Sequence, residues 1–217
     1  MDLFHGRASL PSEISDSRKS TAAIAARNQP AQYAGPQLQP LFVKKHEATH
    51  LHYDLRLGYN GVLISFVLPE GPSYCPRDVC KAVEMEDHRR EYAGFEGVIG
   101  PGRYGAGIVM LWDRGMWKPC PGYSDVDACL HNGLLKMTFY GERLKGDWTL
   151  TRRDGHRKDG PGTVWTFIKE PDEFARTKDA RSILEEQPNS VTTGRTLEEI
   201  ERDWITGKRR EPEPMLF

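Results

Sequence analysis

Apolar and polar residues alternate along much of this chain and seldom recur at helical spacing. Leu51-His52-Tyr53-Asp54-Leu55-Arg56-Leu57 shows it best: leucines and a tyrosine at odd positions, ionisable residues at even ones. Tyr59-Asn60-Gly61 follows, then the apolar run Val62–Leu68. Asn-Gly between two such runs predicts a β-hairpin. Further strands are predicted at Ala82–Met85, Ile108–Trp112, Leu134–Tyr140, Asp147–Thr151 and Val164–Ile168. Many short strands with no helices between them indicate a mainly β fold, read here as a small closed β-barrel over residues 41–170.

The flanks differ. Residues 1–40 carry Ser, Ala, Gln and Pro without a sustained apolar period, and predict an irregular arm with a short helix near Thr21–Arg27. Residues 171–217 form a polar C-terminal extension. Within it, Thr196-Leu197-Glu198-Glu199 is a capping box and predicts a short helix over about 196–204.

Composition narrows the setting. No apolar run reaches the roughly 20 residues of a membrane helix, and Met1–Ser20 lacks the apolar core of a secretory signal. Cys75, Cys80, Cys120 and Cys129 show neither C-x-x-C nor zinc spacing, so free thiols in a reducing interior are expected. The expected setting is intracellular, cytoplasmic or nuclear, with no membrane partner. Formal net charge is −1. Proteins that grip long duplexes by counterion release carry a basic excess, so any nucleic-acid contact here is expected to be short and local, as at a strand end.

Candidate chemistry lies on the polar face of the first hairpin. Along a strand, His52, Asp54 and Arg56 share one face, spaced about 7 Å at each two-residue step, while Leu51, Tyr53, Leu55 and Leu57 share the core face. His50 continues the polar row, and His46 precedes it across a loop. Two imidazoles and a carboxylate suit Mn²⁺, Fe²⁺ or Zn²⁺, and the guanidinium suits a phosphate or carboxylate. The same pattern also suits a solvent-facing strand that happens to hold histidines. A second cluster, Glu84-Met85-Glu86-Asp87-His88 with Tyr92, offers His88 as a phosphate ligand or proton donor. The glycine-rich stretch Gly97–Gly107 precedes no helix and reads as tight turns at a barrel rim, not a nucleotide loop.

These residues resemble a known family. Phe42-Val43-x-Lys45-His46, Leu51–Leu57, Gly71-Pro72-Ser73, Glu86-Asp87-His88, Tyr104-Gly105-Ala106-Gly107 and Trp112-Asp113-Arg114-Gly115 are similar to the 3′-phosphoesterase domain of bacterial DNA ligase D. The similarity continues in order through Ser190–Ile200. It implies a β-barrel with an active groove on its outer wall. It also implies a Mn²⁺-dependent activity that trims 3′-terminal ribonucleotides and 3′-phosphates, with no organic cofactor. By motif, His46, His52 and Asp54 would bind the metal, Arg56 and His88 the scissile phosphate, with Tyr92 and Glu86 in support.

The chain departs from that pattern at two positions. Glu70 stands where the family has a lysine, and Cys80, with Lys81 beside it, where the family has an arginine. Glu70, His50 and Lys81 are therefore candidate substrate contacts, with Glu70 expected at the groove near Arg56 and His88. Three readings follow. The first is a 3′-end-processing phosphoesterase working beside separate ligase or polymerase proteins. The second is the same barrel repurposed to a cationic or aminoacyl-tRNA substrate, for example in arginine-containing cyclodipeptide synthesis as a tRNA-dependent transferase. The third is a non-catalytic module that binds nucleic-acid ends or proteins.

Overall fold

The computed structural model describes residues 37–90, 93–153 and 162–208. The helix expected at Thr21–Arg27, most of the N-terminal arm, the last residues of the tail and Tyr92 lie outside the described residues. The chain runs β1 (Gln39–Glu47), β2 (Leu51–Tyr59), β3 (Val62–Leu68), β4 (Cys80–Arg89), β5 (Gly97–Ile99) and β6 (Gly107–Pro119). It continues through α1 (Val126–Asn132), β7 (Leu134–Gly141), β8 (Lys145–Arg152), β9 (Val164–Lys169), α2 (Ile183–Glu186) and α3 (Leu197–Ile205).

Among the described residues the strands form one antiparallel sheet in the order β1-β2-β3-β4-β9-β8-β7-β6-β5, and β1 pairs with β6 to close it. Eight strands thus make the barrel wall, with β5 added outside β6. The first hairpin turns at Asn60 (φ 46°) and Gly61 (φ 82°), the two positive φ values that a tight turn matching strand twist requires. The 13-residue β6 changes partner along its length, from β5 to β7. Gly115 permits that close approach, since a Cβ there would fall 2.3 Å from the Tyr140 carbonyl oxygen.

Alternation fills the interior. Leu41, Val43, Tyr53, Leu55, Leu57, Ile64, Phe66 and Leu68 are buried in one cluster with Trp112, Trp117, Trp148 and Phe167. Trp148 and Phe167 stack at 4.7 Å, a contact that adds about 0.5–1.5 kcal/mol beyond the buried area. Leu51 does not join this core. It opens β2 at the barrel mouth and stays 46% exposed, because no facing strand covers that end. All four cysteines are free thiols.

The C-terminal extension packs into the barrel. Ile183, Leu197 and Ile200 belong to the same core cluster as the barrel strands. The capping box opens α3 as expected, with Thr196 and Glu199 exchanging side-chain-to-backbone bonds. Glu96, only 8% exposed, accepts from the Leu111 N–H (3.2 Å), the Thr193 hydroxyl (2.6 Å) and Arg195 (2.9 Å). Arg195 also meets Asp203 at 2.9 Å, so one buried carboxylate ties the extension to β6.

Removing Glu96 would leave the Leu111 N–H and the Thr193 hydroxyl without their acceptor and take one of its two carboxylate partners from Arg195. We therefore expect Glu96→Ala to lower the unfolding free energy by about 1–3 kcal/mol. Arg114→Ala, which breaks only an exposed pair with Glu142, should change it by less than about 1 kcal/mol. Urea denaturation of both variants measures the contrast.

Candidate active site

The site is built by register. Leu41 and Val43 point into the barrel, so Phe42, Lys44 and His46 point out. On β2, Tyr53, Leu55 and Leu57 point in, so His52, Asp54 and Arg56 point out. The antiparallel ladder sets His46 opposite His52, Lys44 opposite Asp54 and Phe42 opposite Arg56. Side chains directly opposite on one face are near neighbours, so all six converge on the outer wall.

His88 reaches the same wall through a β-bulge. Cys80 and Ala82 on β4 face the core, and strict alternation would send His88 inward with them. The β3–β4 register shifts by one residue between Leu63 and Ser65. Beyond the shift His88 lies opposite the outward Leu63, with its Nδ1 atom 3.0 Å from the Ser65 hydroxyl. The bulge re-aims the imidazole.

His46, His52 and Asp54 each present a donor atom within 4.8 Å of the others. His46 Nδ1 and His52 Nε2 each lie 3.7 Å from an Asp54 oxygen. His52 Nδ1 is 2.9 Å from the His50 carbonyl. A carbonyl only accepts, so Nδ1 carries the proton and Nε2 keeps its lone pair toward Asp54. His46 Nε2 is buried with no hydrogen-bond partner. Ligands held about 2.1 Å from one ion lie roughly 3 Å apart, so small side-chain shifts complete a metal site. The N₂O donor set fits Mn²⁺, Fe²⁺ or Zn²⁺.

Beside this cluster Arg56 donates to the Ser65 hydroxyl (3.3 Å) and to Asp54 (3.4 Å). Its Nε is buried and unpartnered. That geometry, a His-His-Asp cluster able to hold a metal beside a guanidinium with an unused donor, is set in a sequence with known relatives. The profile of the DNA ligase D 3′-phosphoesterase domain matches residues 44–152. The chain belongs to this family.

The multifunctional non-homologous end joining protein LigD of Pseudomonas aeruginosa is 43% identical over 155 residues, 71% of this chain and 18% of the relative. The corresponding DNA repair protein of Mycobacterium tuberculosis is 36% identical over 115 residues, 53% of this chain and 15% of the relative. The chain thus spans less than a fifth of the length of these relatives.

Within this phosphoesterase-family site the charges are unbalanced. Burial opposes the Asp54 charge, but the nearby His46, Arg56 and His52 outweigh it and hold the carboxyl down at about 2. Lys44, only 4% exposed, is pushed down to about 7 by burial and then by Arg56, against the pull of Asp54. Burial and Arg56 also carry His88 down to about 4, so it is neutral near pH 7. His88 Nδ1 is 2.9 Å from the Glu86 carbonyl, which fixes the proton there and leaves Nε2 unprotonated.

Several expected contacts stand elsewhere. Glu70 is exposed at the turn after β3, walling a depression with Arg77, Asp78 and Cys80. The lining of that depression includes neither Arg56 nor His88. Cys80 faces the core, so the position aligned with the family's arginine is turned away from the groove. Lys81 is exposed on the outer face of β4, two strands from His52. His50 and Glu86 are exposed, and their carbonyls, not their side chains, meet the imidazoles. Lys44 and Ser65 went unread. Lys44 shares parity with His46 in Phe42-Val43-Lys44-Lys45-His46, which was the available signal.

Lys44 carries more charge unfolded than folded between about pH 7 and 10.5, so stability rises with pH across that window. Below it the buried cation is charged in both states and its desolvation cost is felt in full. We expect Lys44→Met to raise the melting temperature, by more at about pH 6 than at about pH 9.5, in thermal scans at both.

Proposed function

We propose that this protein is a divalent-metal-dependent 3′-end-processing phosphoesterase. Its substrates are nucleic-acid ends bearing a 3′-terminal ribonucleotide or a 3′-phosphate, and its metal is Mn²⁺ held by His46, His52 and Asp54. One observation supports this above the rest: a His-His-Asp cluster able to hold a metal, the buried Lys44 and the partly buried Arg56 share one wall in a member of the ligase D phosphoesterase family.

A divalent ion at this site supplies charge neutralisation for a phosphoryl group and activation of water. Arg56, with Lys44 where it is protonated, leaves a positive surplus that Asp54 does not offset once a divalent ion is bound. An anion with oxygens to accept from Arg56 Nε answers both the surplus and the unused donor. Phosphate meets both conditions. Asp54 and Ser65 hold the guanidinium in place. His88 presents Nε2 as a proton acceptor. Burial first, and then Arg56, lower its proton affinity, and a phosphate beside Arg56 would offset only the second of these.

The reading with a cationic or aminoacyl-tRNA substrate depended on Glu70 entering the pocket, and its exposed turn removes that support. The binding-module reading has no comparable feature in its favour, since convergence of donors and a tautomer-fixed histidine suit chemistry.

The test uses the full chain on DNA oligonucleotides ending in a 3′-phosphate or a single 3′-ribonucleotide. We expect 3′-hydroxyl products with Mn²⁺, none with chelator, and at least a ~100-fold loss in His52→Ala. Glu70→Lys should alter turnover by less than about threefold. Activity that persists in His52→Ala with chelator present would overturn the proposal.

A further inference from the structure

The loop between β5 and β6 ends in a side chain that the fold does not use. Tyr104 is 86% exposed, the most open of the large hydrophobic residues described. Two tight turns carry it, closed by Arg103 N–H to the Gly100 carbonyl and Ala106 N–H to the Arg103 carbonyl. Gly102 (φ 81°) and Gly105 (φ 74°) on either side occupy the left-handed region, so the loop's path is built into the backbone. That path brings it to the metal-ligand cluster. A Cβ on Gly105 would lie 3.9 Å from His46 Cε1, and Tyr104 is the next residue. Its hydroxyl is also close enough to contribute to the field at Arg56.

A large exposed ring has no packing reason to stand at the edge of a phosphate pocket. Any phosphate of a nucleic acid held by Arg56 brings a nucleoside one sugar away, and bases stack on aromatic rings regardless of sequence. We propose that Tyr104 is the platform on which the nucleobase adjoining the bound phosphate stacks. Tyr104 is thereby a substrate-positioning residue that selects nucleoside-bearing ends over bare phosphate esters. The inference rests on the 3′-end reading above and names the part of the substrate that the metal triad does not touch.

The experiment uses full-length protein with Mn²⁺ and two oligonucleotides ending in a 3′-phosphate, one with 2-aminopurine as the terminal base and one with an abasic terminal sugar. Wild type should show a KM about 5- to 150-fold lower for the base-bearing end. Tyr104→Ala should erase that difference by raising KM with kcat unchanged, and Tyr104→Phe should keep it. The 2-aminopurine fluorescence should be quenched on titration with wild type and Tyr104→Phe but not with Tyr104→Ala. Melting temperatures should agree among the three, because the ring packs against nothing in the core. Equal KM and equal quenching in wild type and Tyr104→Ala would overturn the proposal. If wild type turns over neither oligonucleotide, the 3′-end reading fails, and the fluorescence titration still decides whether Tyr104 stacks.

Discussion

The register of β1 against its neighbours is the constraint on which the site depends. β1 is held on both edges, by β2 and by β6, so it cannot slide without breaking two ladders. A shift of one residue would send Lys44 and His46 into the core and Leu41 and Val43 into water. Burying two such aliphatic side chains contributes about 3–6 kcal/mol, and that is what holds His46 opposite His52. Apolar residues with no chemistry of their own therefore set the metal-ligand geometry. Barrel closure supplies the rigidity that a loop-borne triad would lack.

Precision on one side of the site leaves a strained charge distribution on the other. Two cations and one carboxylate share a wall where each is largely withdrawn from water. Such a set is costly until an anion arrives, which is the usual sign of a site shaped for its ligand and not for its own stability. The β3–β4 bulge belongs to the same design. It interrupts the ladder to turn His88 outward, where Ser65 and the Glu86 carbonyl hold one tautomer.

Much of this was legible in the alternation of Leu51–Leu57, since two-residue periodicity and a turn motif depend only on neighbours in the chain. The run of short strands and the family resemblance both indicated a closed barrel, while the order of strands within it was not readable from local pattern. What remained hidden depended on non-local facts. Glu70 was expected at the pocket because the family has a lysine at that position, but it stands on a turn and lines a depression without Arg56 or His88. His88 reaches the outer wall through a bulge that no local motif announces. Leu51 kept the predicted alternation yet not the predicted burial, as barrel ends lack a second layer. The short helix α1 had readable signals, Asp125 at its start and a left-handed Gly133 at its end, in a stretch too brief for helical periodicity to show.

The folded unit is larger than the stretch by which the family is recognised. The matched residues end at 152, the last residue of β8, and β9 follows at Val164–Lys169. Without β9 the wall would open between β4 and β8, leaving two unpaired edges. Beyond β9, Val191 N–H bonds the Leu111 carbonyl and Trp112 donates to the Gln187 carbonyl at 2.6 Å, so the extension lies against β6. β6 in turn carries β1 through their shared ladder. A perturbation at Glu96 or Arg195 is thus one strand removed from His46, and it loosens the support of the ligand triad without touching it. The extension belongs to the physics of the site through β6 and β1.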